Sequence, residues 1–277
     1  MSIDFDAARA FLYDHARVLE RRRYEHLFEG GPKEPVLDAL RAFRNDDGGF
    51  GHAIEPDMRA PESQSVGIHT TMEILHELGA HDDPMVRPAA DWLMTITRPD
   101  GSIPFVLETD ASHAPWWKYS DESSVTQTAA NAAALHNLDL THPWLDGADE
   151  FLFARIAEID TASQDLGLGY DLLFSVHFLD AHPDAARAEA ALDALAPIPT
   201  VEYGSERPSA LDLSPAPGAR SRDHLEVNRD LDALEQSQDE DGGWHVSWPA
   251  WNPAATIEWR GIATLNALKT LRANGRI

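Results

Sequence analysis

Three short segments of this 277-residue chain place carboxylates where a fold could use them. Glu55-Pro56-Asp57-Met58-Arg59 carries two acids on a stretch that proline keeps stiff and extended, which suits positioned acids. Asp121-Glu122 opens a long uncharged segment, where acids complement a helix dipole and a side chain caps the first turn. Glu258-Trp259-Arg260-Gly261 sets an acid and a base in the first turns of the last helical segment. A desolvated Glu258 would serve as a proton donor. The catalytic candidates are therefore Asp57, Glu55, Glu258 and Arg260, with Asp57 or Glu258 as the acid. Each segment also has a structural reading: a surface salt bridge to Arg59, a helix cap, and a buried Glu258–Arg260 pair.

Aromatic residues gather near these acids. Trp116, Trp117, Trp248, Trp251 and Trp259 suit an apolar or cation-stabilising pocket, because aromatic faces attract positive charge; ring-packing in a core is the competing role. Asp121, Gln127, His69 and His177 complete the expected substrate-binding set, the two histidines competing with a role as hydrogen-bonded core residues. A diphosphate would need clustered Arg and Lys. The only basic run, Arg21-Arg22-Arg23, reads as a solvated helix face. Without cysteine there is no thiolate ligand or thiol nucleophile. The spacings His69/His76 and His177/His182 make no zinc motif, so no metal and no cofactor are expected.

The elements that position these residues follow from periodicity. Apolar spacing predicts a helix over Phe5 to Leu27, closed by Gly30-Gly31-Pro32, and a short one from Val36 to Phe43. The latter ends in the acidic turn Asn45-Asp46-Asp47-Gly48-Gly49-Phe50-Gly51. Helices are expected from about Glu62 to Leu78 and from Pro84 to Thr97, the second ending in a degraded copy of the turn, Arg98 to Phe105. Ser120 to Leu138 follows; from Ser123 on it has no formally charged residue, so it is buried on all sides. Pro143–Ile159 and Pro183–Leu195 are amphipathic, whereas Leu166–Leu179 is nearly uncharged. Thr200 to Ser221 is a long proline- and serine-rich loop, expected to be ordered because it lies mid-chain. Asp223–Gln236 leads to a third turn, Gln238-Asp239-Glu240-Asp241-Gly242-Gly243-Trp244, and Pro253–Leu271 closes the chain.

Polar-faced and apolar helices thus alternate in repeats of about 50 residues, which implies helical hairpins packed side by side. Alternate helices without a polar face must be buried inside, and a closed ring does that. The expected fold is all-α: a single α/α-toroid domain over residues 1–277, of about five or six hairpins around a central cavity. The formal charge of −25 disfavours nucleic acid and anionic membranes as partners. No apolar run spans a membrane, no signal peptide is evident, and a cytoplasmic location fits.

Gln238 to Trp244 resembles the QW repeat of squalene-hopene cyclases, and Asn45 to Gly51 resembles the D-G-G-F-G turn of protein prenyltransferase β subunits. The chain is similar, at the level of its repeats, to the terpenoid cyclase/protein prenyltransferase toroid superfamily, as a bacterial branch. The resemblance implies that Gln238 and Trp244 tie neighbouring helices together. It also marks two departures. Where class II cyclases carry D-x-D-D-T-A, this chain has Ser124-Val125-Thr126-Gln127-Thr128-Ala129, and an amide cannot deliver a strong acid. Protein prenyltransferases hold zinc through Asp, Cys and His, and this chain lacks Cys.

These readings point to a terpene-cyclase- or prenyltransferase-like protein that binds an apolar, isoprenoid-type small molecule in its cavity, with acid-initiated cyclisation as its chemistry. The alternatives are a carbohydrate-active toroid enzyme with paired carboxylates and a non-catalytic binding or scaffold toroid. The sharpest expectation sets Glu55-Pro56-Asp57 across the ring from Trp248, Trp251 and Glu258-Trp259-Arg260.

Overall fold

The computed structural model describes residues 3–161, 166–205, 207–249 and 251–277, and the side chains of residues 166–168 are not described. Among the described residues the helices are α1 (Phe5–His15), α2 (Val18–Glu29), α3 (Glu34–Arg41), α4 (Ser65–Glu77), α5 (Val86–Thr95), α6 (Val125–Asn137), α7 (Pro143–Ile156), α8 (Leu166–Ala181), α9 (Ala185–Leu195), α10 (Ala210–Leu213), α11 (Asn228–Gln236) and α12 (Pro253–Ala273). Two short strands, β1 (Ile103–Pro104) and β2 (Ser123–Ser124), pair antiparallel. A 3₁₀ turn spans Arg220–His224. The all-α expectation holds. No described helix is long and apolar enough to cross a membrane.

Local sequence sets most boundaries. Asp4, Ser124, Asp184 and Asn252 cap α1, α6, α9 and α12 by accepting a backbone N–H from the first turn. Proline opens α7 and α12, where its missing N–H costs nothing. Gly30 closes α2 in the left-handed region, with φ of 71°.

The chain forms two compact units. The shorter comprises Met1–Ala42, Thr200–Gly218 and Glu226–Ile277; the longer comprises Phe43–Pro199 and Ala219–Leu225. In the shorter unit α1 packs on α12, α2 on α3, and α10 and α12 on α11. In the longer unit α6 lies between α4 and α8, with α7 packed on α5 and α6. Thr126 meets Asp171 at one end of the α6–α8 pair and His136 meets His182 at the other, so the two helices run parallel. The ten residues from Thr126 to Leu135 are all buried, as a helix without a charged face requires.

The acidic turns are one device used three times. Asn45, Arg98 and Asp239 each donate their N–H to the carbonyl four residues on, at 2.9, 2.8 and 2.9 Å. An aspartate inside each turn, Asp47, Asp100 or Asp241, accepts the amide two residues later. The turn glycines Gly48, Gly101 and Gly242 have φ near +90°, at 92°, 90° and 89°. A Cβ on each would strike the backbone of another helix: the Pro88 carbonyl on α5, the Gly147 carbonyl on α7, or the Ala7 carbonyl carbon on α1, at 2.8, 2.2 and 2.3 Å. The residue after the turn then docks on a following helix. Ile103 donates its N–H to Thr128 on α6 at 3.1 Å, and Trp244 donates its N–H to Thr264 on α12 at 3.0 Å. The copy at Arg98 is therefore complete in geometry though degraded in sequence.

Three expectations need correction. The predicted helix over Phe5–Leu27 is broken at Ala16-Arg17, where Arg17 is extended with ψ of 162°. The reason is tertiary: a Cβ on Gly261 would lie 2.9 Å from the Ala16 Cβ, so α12 meets the chain at the break. The basic run lies on α2 and is not wholly solvated, since Arg23 is buried. The long loop over 200–221 contains α10, whose Ser209 and Asp212 form a reciprocal capping box.

Candidate functional site

In the longer unit the loops before α4 and α6 are tied to each other. The amide of Gln64 pairs with the backbone of Leu107: Oε1 accepts its N–H at 2.9 Å and Nε2 donates to its carbonyl at 3.4 Å. Arg59 donates its N–H to the Ser112 carbonyl at 3.1 Å, and Ala114 donates to the Asp57 carbonyl at 2.8 Å. These bonds brace the loop, but the extended stretch expected of it is corrected: Glu55-Pro56-Asp57-Met58 is a turn, closed by the Met58 N–H to the Glu55 carbonyl at 3.0 Å. Asp57 is buried, at 3% exposure, while Glu55 is half-buried. His52 and Ala53, just before them, hold φ of 56° and 62°, a region non-glycine residues enter at some cost. Trp117 is buried and stacked on Phe105 at 5.2 Å, whereas Trp116 points to solvent at 39% exposure. Trp116 is thus not part of a closed pocket wall within this unit.

The first turn of α6 is built differently from expectation. Its cap is Ser124, whose Oγ accepts the Gln127 N–H at 3.1 Å. Asp121 is exposed and accepts the Tyr119 hydroxyl, so it does not cap the helix. The acid at this end comes instead from α8: Asp171 Oδ1 accepts both the Thr126 N–H at 3.0 Å and its hydroxyl at 2.5 Å. Carboxylates belong at helix N-termini, and one is supplied here by a neighbouring helix.

Gln127 is buried, and its Oε1 has no hydrogen-bond partner. One turn on, Asn131 donates from Nδ2 to the Gln127 carbonyl at 2.9 Å, which leaves its Oδ1 unpartnered. Ser175 Oγ on α8 and His69 Nδ1 on α4 are also buried without partners. Such orphans cost about 1–3 kcal/mol each unless a ligand or water satisfies them. The His69 ring lies edge-on to Phe174 of α8 at 5.6 Å, and Phe174 lies against His177 at 5.9 Å. Burial lowers the pKa of His69, Glu73 opposes the shift, and His177 adds to it. His69, Phe174 and His177 nevertheless retain accessible surface, as does Leu173. Tyr170, Phe174 and His177 lie three to four residues apart on this face of α8.

A second polar group of the longer unit unites His136 at the end of α6, Asp149 in the middle of α7 and His182 just after α8, with their ligand-type atoms within 4.8 Å of one another. Sequence spacing could not reveal it, because each residue comes from a different helix. Two imidazoles and a carboxylate are a donor set that suits a transition metal, but the hydrogen bonds favour another role. His182 Nδ1 accepts the Asp184 N–H at 3.1 Å, so its proton sits on Nε2, which faces Asp149 at 3.3 Å. A metal-ligating imidazole donates from its second nitrogen; this one accepts. The same pattern recurs at His142, whose Nδ1 accepts the Trp144 N–H while Nε2 faces Asp91 at 3.0 Å. In both, a His-Pro step leads into a helix, α7 or α9, and the imidazole binds an aspartate of an earlier helix, Asp91 of α5 or Asp149 of α7.

In the shorter unit Trp259 meets Trp248 edge-to-face at 4.8 Å, and Trp251 is half-buried. The Trp259 Nε1 is another buried donor without a partner. The expected Glu258–Arg260 pair is corrected: Arg260 binds Asp241 at 2.7 and 2.8 Å and Asp239 at 2.9 Å. Residues two apart on a helix point to different sides, so Glu258 and Arg260 do not face each other. The Arg260 guanidinium also lies over the Phe11 ring at 4.5 Å. Arg260 thus serves the turn. Gln238 does so as well, its amide bonding both ways with the Asp4 backbone at 2.7 and 2.8 Å. Trp244 donates its Nε1 proton to the Leu234 carbonyl at 2.9 Å.

The structure thus brings His69 and His177 together and sets Gln127 on the helix between theirs. Asp57 belongs to the longer unit and Glu258 to the shorter. Asn131, Asp171 and Ser175 went unread in the sequence. Asn131 alone had a signal, lying one turn from Gln127 on a helix without charge.

No protein-family model matches the chain, and no curated protein matches it in sequence. Solved structures do match in shape. A protein from Actinoplanes superposes with a TM-score of 0.61 at 16% identity, covering 96% of this chain and 98% of that one. A single-residue variant of the type II terpene cyclase MstE from Scytonema, in complex with its substrate geranylgeranyl dihydroxybenzoate, superposes with a TM-score of 0.54 at 13% identity, covering 97% and 96%. Another variant of MstE, holding its product merosterolic acid A, gives 0.50 at 16% identity, covering 96% and 86%. At these identities the likeness speaks for the fold alone: the chain has a terpene cyclase-like, all-α fold.

Proposed function

We propose that the chain is a terpene-cyclase-like protein of the squalene-cyclase repeat superfamily, folded as one α/α toroid of about five or six hairpins, which binds an apolar, isoprenoid-type molecule against its inner helices. The observation that carries this reading is the uncharged α6, buried from Thr126 to Leu135 and packed between α4 and α8. On those flanking helices His69, Leu173, Phe174 and His177 keep accessible surface, and burial lowers the His69 pKa. Apolar walls with a few convergent polar groups are what a small-molecule site requires. The fold likeness to a cyclase holding a geranylgeranyl substrate supports the same ligand class.

Acid-initiated cyclisation is the chemistry proposed for this ligand. It needs a carboxylic acid shielded from bulk water and held against an alkene. Asp57, buried on its braced loop, is the proposed donor in the longer unit, with Glu55 beside it. Glu258, beside the Trp248–Trp259 pair, is the rival donor in the shorter unit, where those aromatic faces would stabilise a carbocation. Purified protein is to be incubated with prenylated arenes and linear polyprenyl chains, with and without a diphosphate. A cyclised product that disappears in Asp57→Asn or Glu258→Gln is the expected result. No product from any chain, or product unchanged in both variants, would refute it.

One observation favours a binding protein without turnover. At the start of α6, Ser124 is spent as a cap, Thr126 is held by Asp171, and Gln127 presents an amide oxygen. None of these can protonate an alkene. Tight binding of a prenyl chain with no product would select this second reading.

A further inference from the structure

Asn274 caps the end of α12 and is the chain's only asparagine followed by glycine. That pairing has an intrinsic chemistry: a glycine nitrogen, unhindered by a neighbouring Cβ, attacks the preceding asparagine amide and closes a succinimide ring. The fold holds each participant out of position. Gly275, with φ of 69°, donates its N–H to the Arg272 carbonyl at 3.1 Å, and Arg276 donates to the Leu271 carbonyl at 2.9 Å. These are the paired bonds that end a helix on a left-handed glycine. Asn274 has ψ of 10°, which leaves the Gly275 nitrogen nearly eclipsed with the Asn274 nitrogen and turned away from Cβ. The side-chain Nδ2 donates to two carbonyls, those of Pro215 at 2.9 Å and Thr270 at 2.8 Å. The bond to Pro215 ties the segment after α10 to the end of α12, within the shorter unit.

We propose that Asn274 is a site of spontaneous deamidation which the fold keeps closed, which opens when the last turn of α12 frays, and whose conversion releases the Pro215 segment. Fraying of a terminal turn costs less than global unfolding, and Gly275 is exposed, so solvent base reaches its amide. In the reaction the Gly275 N–H gives its proton to solvent, the nitrogen bonds to Asn274 Cγ, and the Cγ–Nδ2 bond breaks with ammonia leaving. Water then opens the ring at one of its two C–N bonds. Cleavage at Cγ gives aspartate, and cleavage at the backbone carbonyl gives isoaspartate. Nothing is oxidised or reduced; an amide and water become a carboxylate and ammonium. Either product undoes the native contacts. A carboxylate has no proton for the Pro215 and Thr270 carbonyls, and it adds negative charge at the negative end of the helix dipole. Isoaspartate also lengthens the backbone by a methylene just before Gly275. That separates the Gly275 and Arg276 amides from their acceptors and shifts Arg276 away from Asp232 and Glu235 of α11, now at 2.8 and 3.0 Å.

The test ages the full chain at mildly alkaline pH, folded and in urea, and follows by mass the Thr270–Ile277 fragment released by cleavage after Lys269. In urea, Asn274 should convert before every other asparagine, and in the folded chain it should convert about 10-fold or more slowly. Asn274→Gln, whose longer side chain disfavours ring closure, should stay intact over the same period. Asn274→Asp supplies the product directly: hydrogen exchange at the Ser214, Gly275 and Arg276 amides should rise about 10-fold or more, with the helical circular dichroism kept. Equal conversion rates in the folded and unfolded chain, no conversion of Asn274 in urea, or wild-type exchange at Ser214 in Asn274→Asp would overturn the proposal.

Discussion

Arg260 grips Asp241 with both arms of its guanidinium, Nη1 to Oδ2 at 2.8 Å and Nη2 to Oδ1 at 2.7 Å. Chiefly because of this bond, the Asp241 pKa falls from 3.8 to about 2. The folded value lies below the unfolded one, so the stabilisation is complete well above pH 3.8 and is lost as pH falls through about 2. Asp241 is half exposed, so solvent screening reduces the contribution to about 1 kcal/mol. Urea unfolding of wild type and Asp241→Asn should differ by that amount at neutral pH and converge near pH 2. A constant difference across that range would show that Arg260 holds the turn through Asp239 alone.

The turn glycines predict a sharper contrast. Gly101→Ala forces a Cβ to 2.2 Å from the Gly147 carbonyl oxygen at φ of 90° and should cost about 3 kcal/mol or more. Gly79 also has positive φ, at 59°, but nothing lies within 4 Å, so Gly79→Ala should cost only about 1 kcal/mol. Chemical denaturation of both variants measures the difference. Equal costs would mean that strain, not helix contact, explains the shared geometry of the three turns.

These turns were legible because their cause is local: an aspartate, a glycine with positive φ and a backbone bond all lie within seven residues. The uncharged run after Ser123 likewise announced a buried helix. What escaped reading has a non-local cause. Nothing in the sequence around Ala16-Arg17 breaks a helix; the approach of Gly261 from the far end of the chain does. Asp121 looked like the acid for α6 because it precedes that helix, while the carboxylate that arrives, Asp171, is 45 residues downstream of Thr126. The expected Glu258–Arg260 pair failed on elementary helix geometry, since side chains two residues apart diverge.

His182, in its cluster with His136 and Asp149, should respond to protons and not to zinc. Burial lowers the His182 pKa from 6.5, with Asp149 opposing. Its folded value lies below the unfolded one, so stability is full above about pH 6.5 and declines as pH falls toward the folded value. His69, lowered by burial as well, adds a decline of the same sign. The wild-type Tm should therefore drop between about pH 7.5 and 5.5, and less steeply in His182→Asn. Zinc at pH 7.5 should shift the Tm by less than about 1 °C, because the lone pair of His182 Nδ1 is already used by the Asp184 amide. A large zinc-dependent rise, abolished by His182→Asn, would reverse this assignment.

Asp171 offers the most direct test of how α8 governs the start of α6. Its Oδ1 receives the Thr126 N–H and hydroxyl, at 3.0 and 2.5 Å, in a first turn that holds no acid of its own. Asp171→Asn retains an acceptor oxygen and removes the charge, so it should cost about 0.5–1 kcal/mol from the helix dipole. Asp171→Ala removes both bonds and leaves the Thr126 amide without its partner, raising the cost to about 2–3 kcal/mol. Urea unfolding of the two variants measures both costs, and equal losses would show that Asp171 serves α6 by its charge and not by its two bonds.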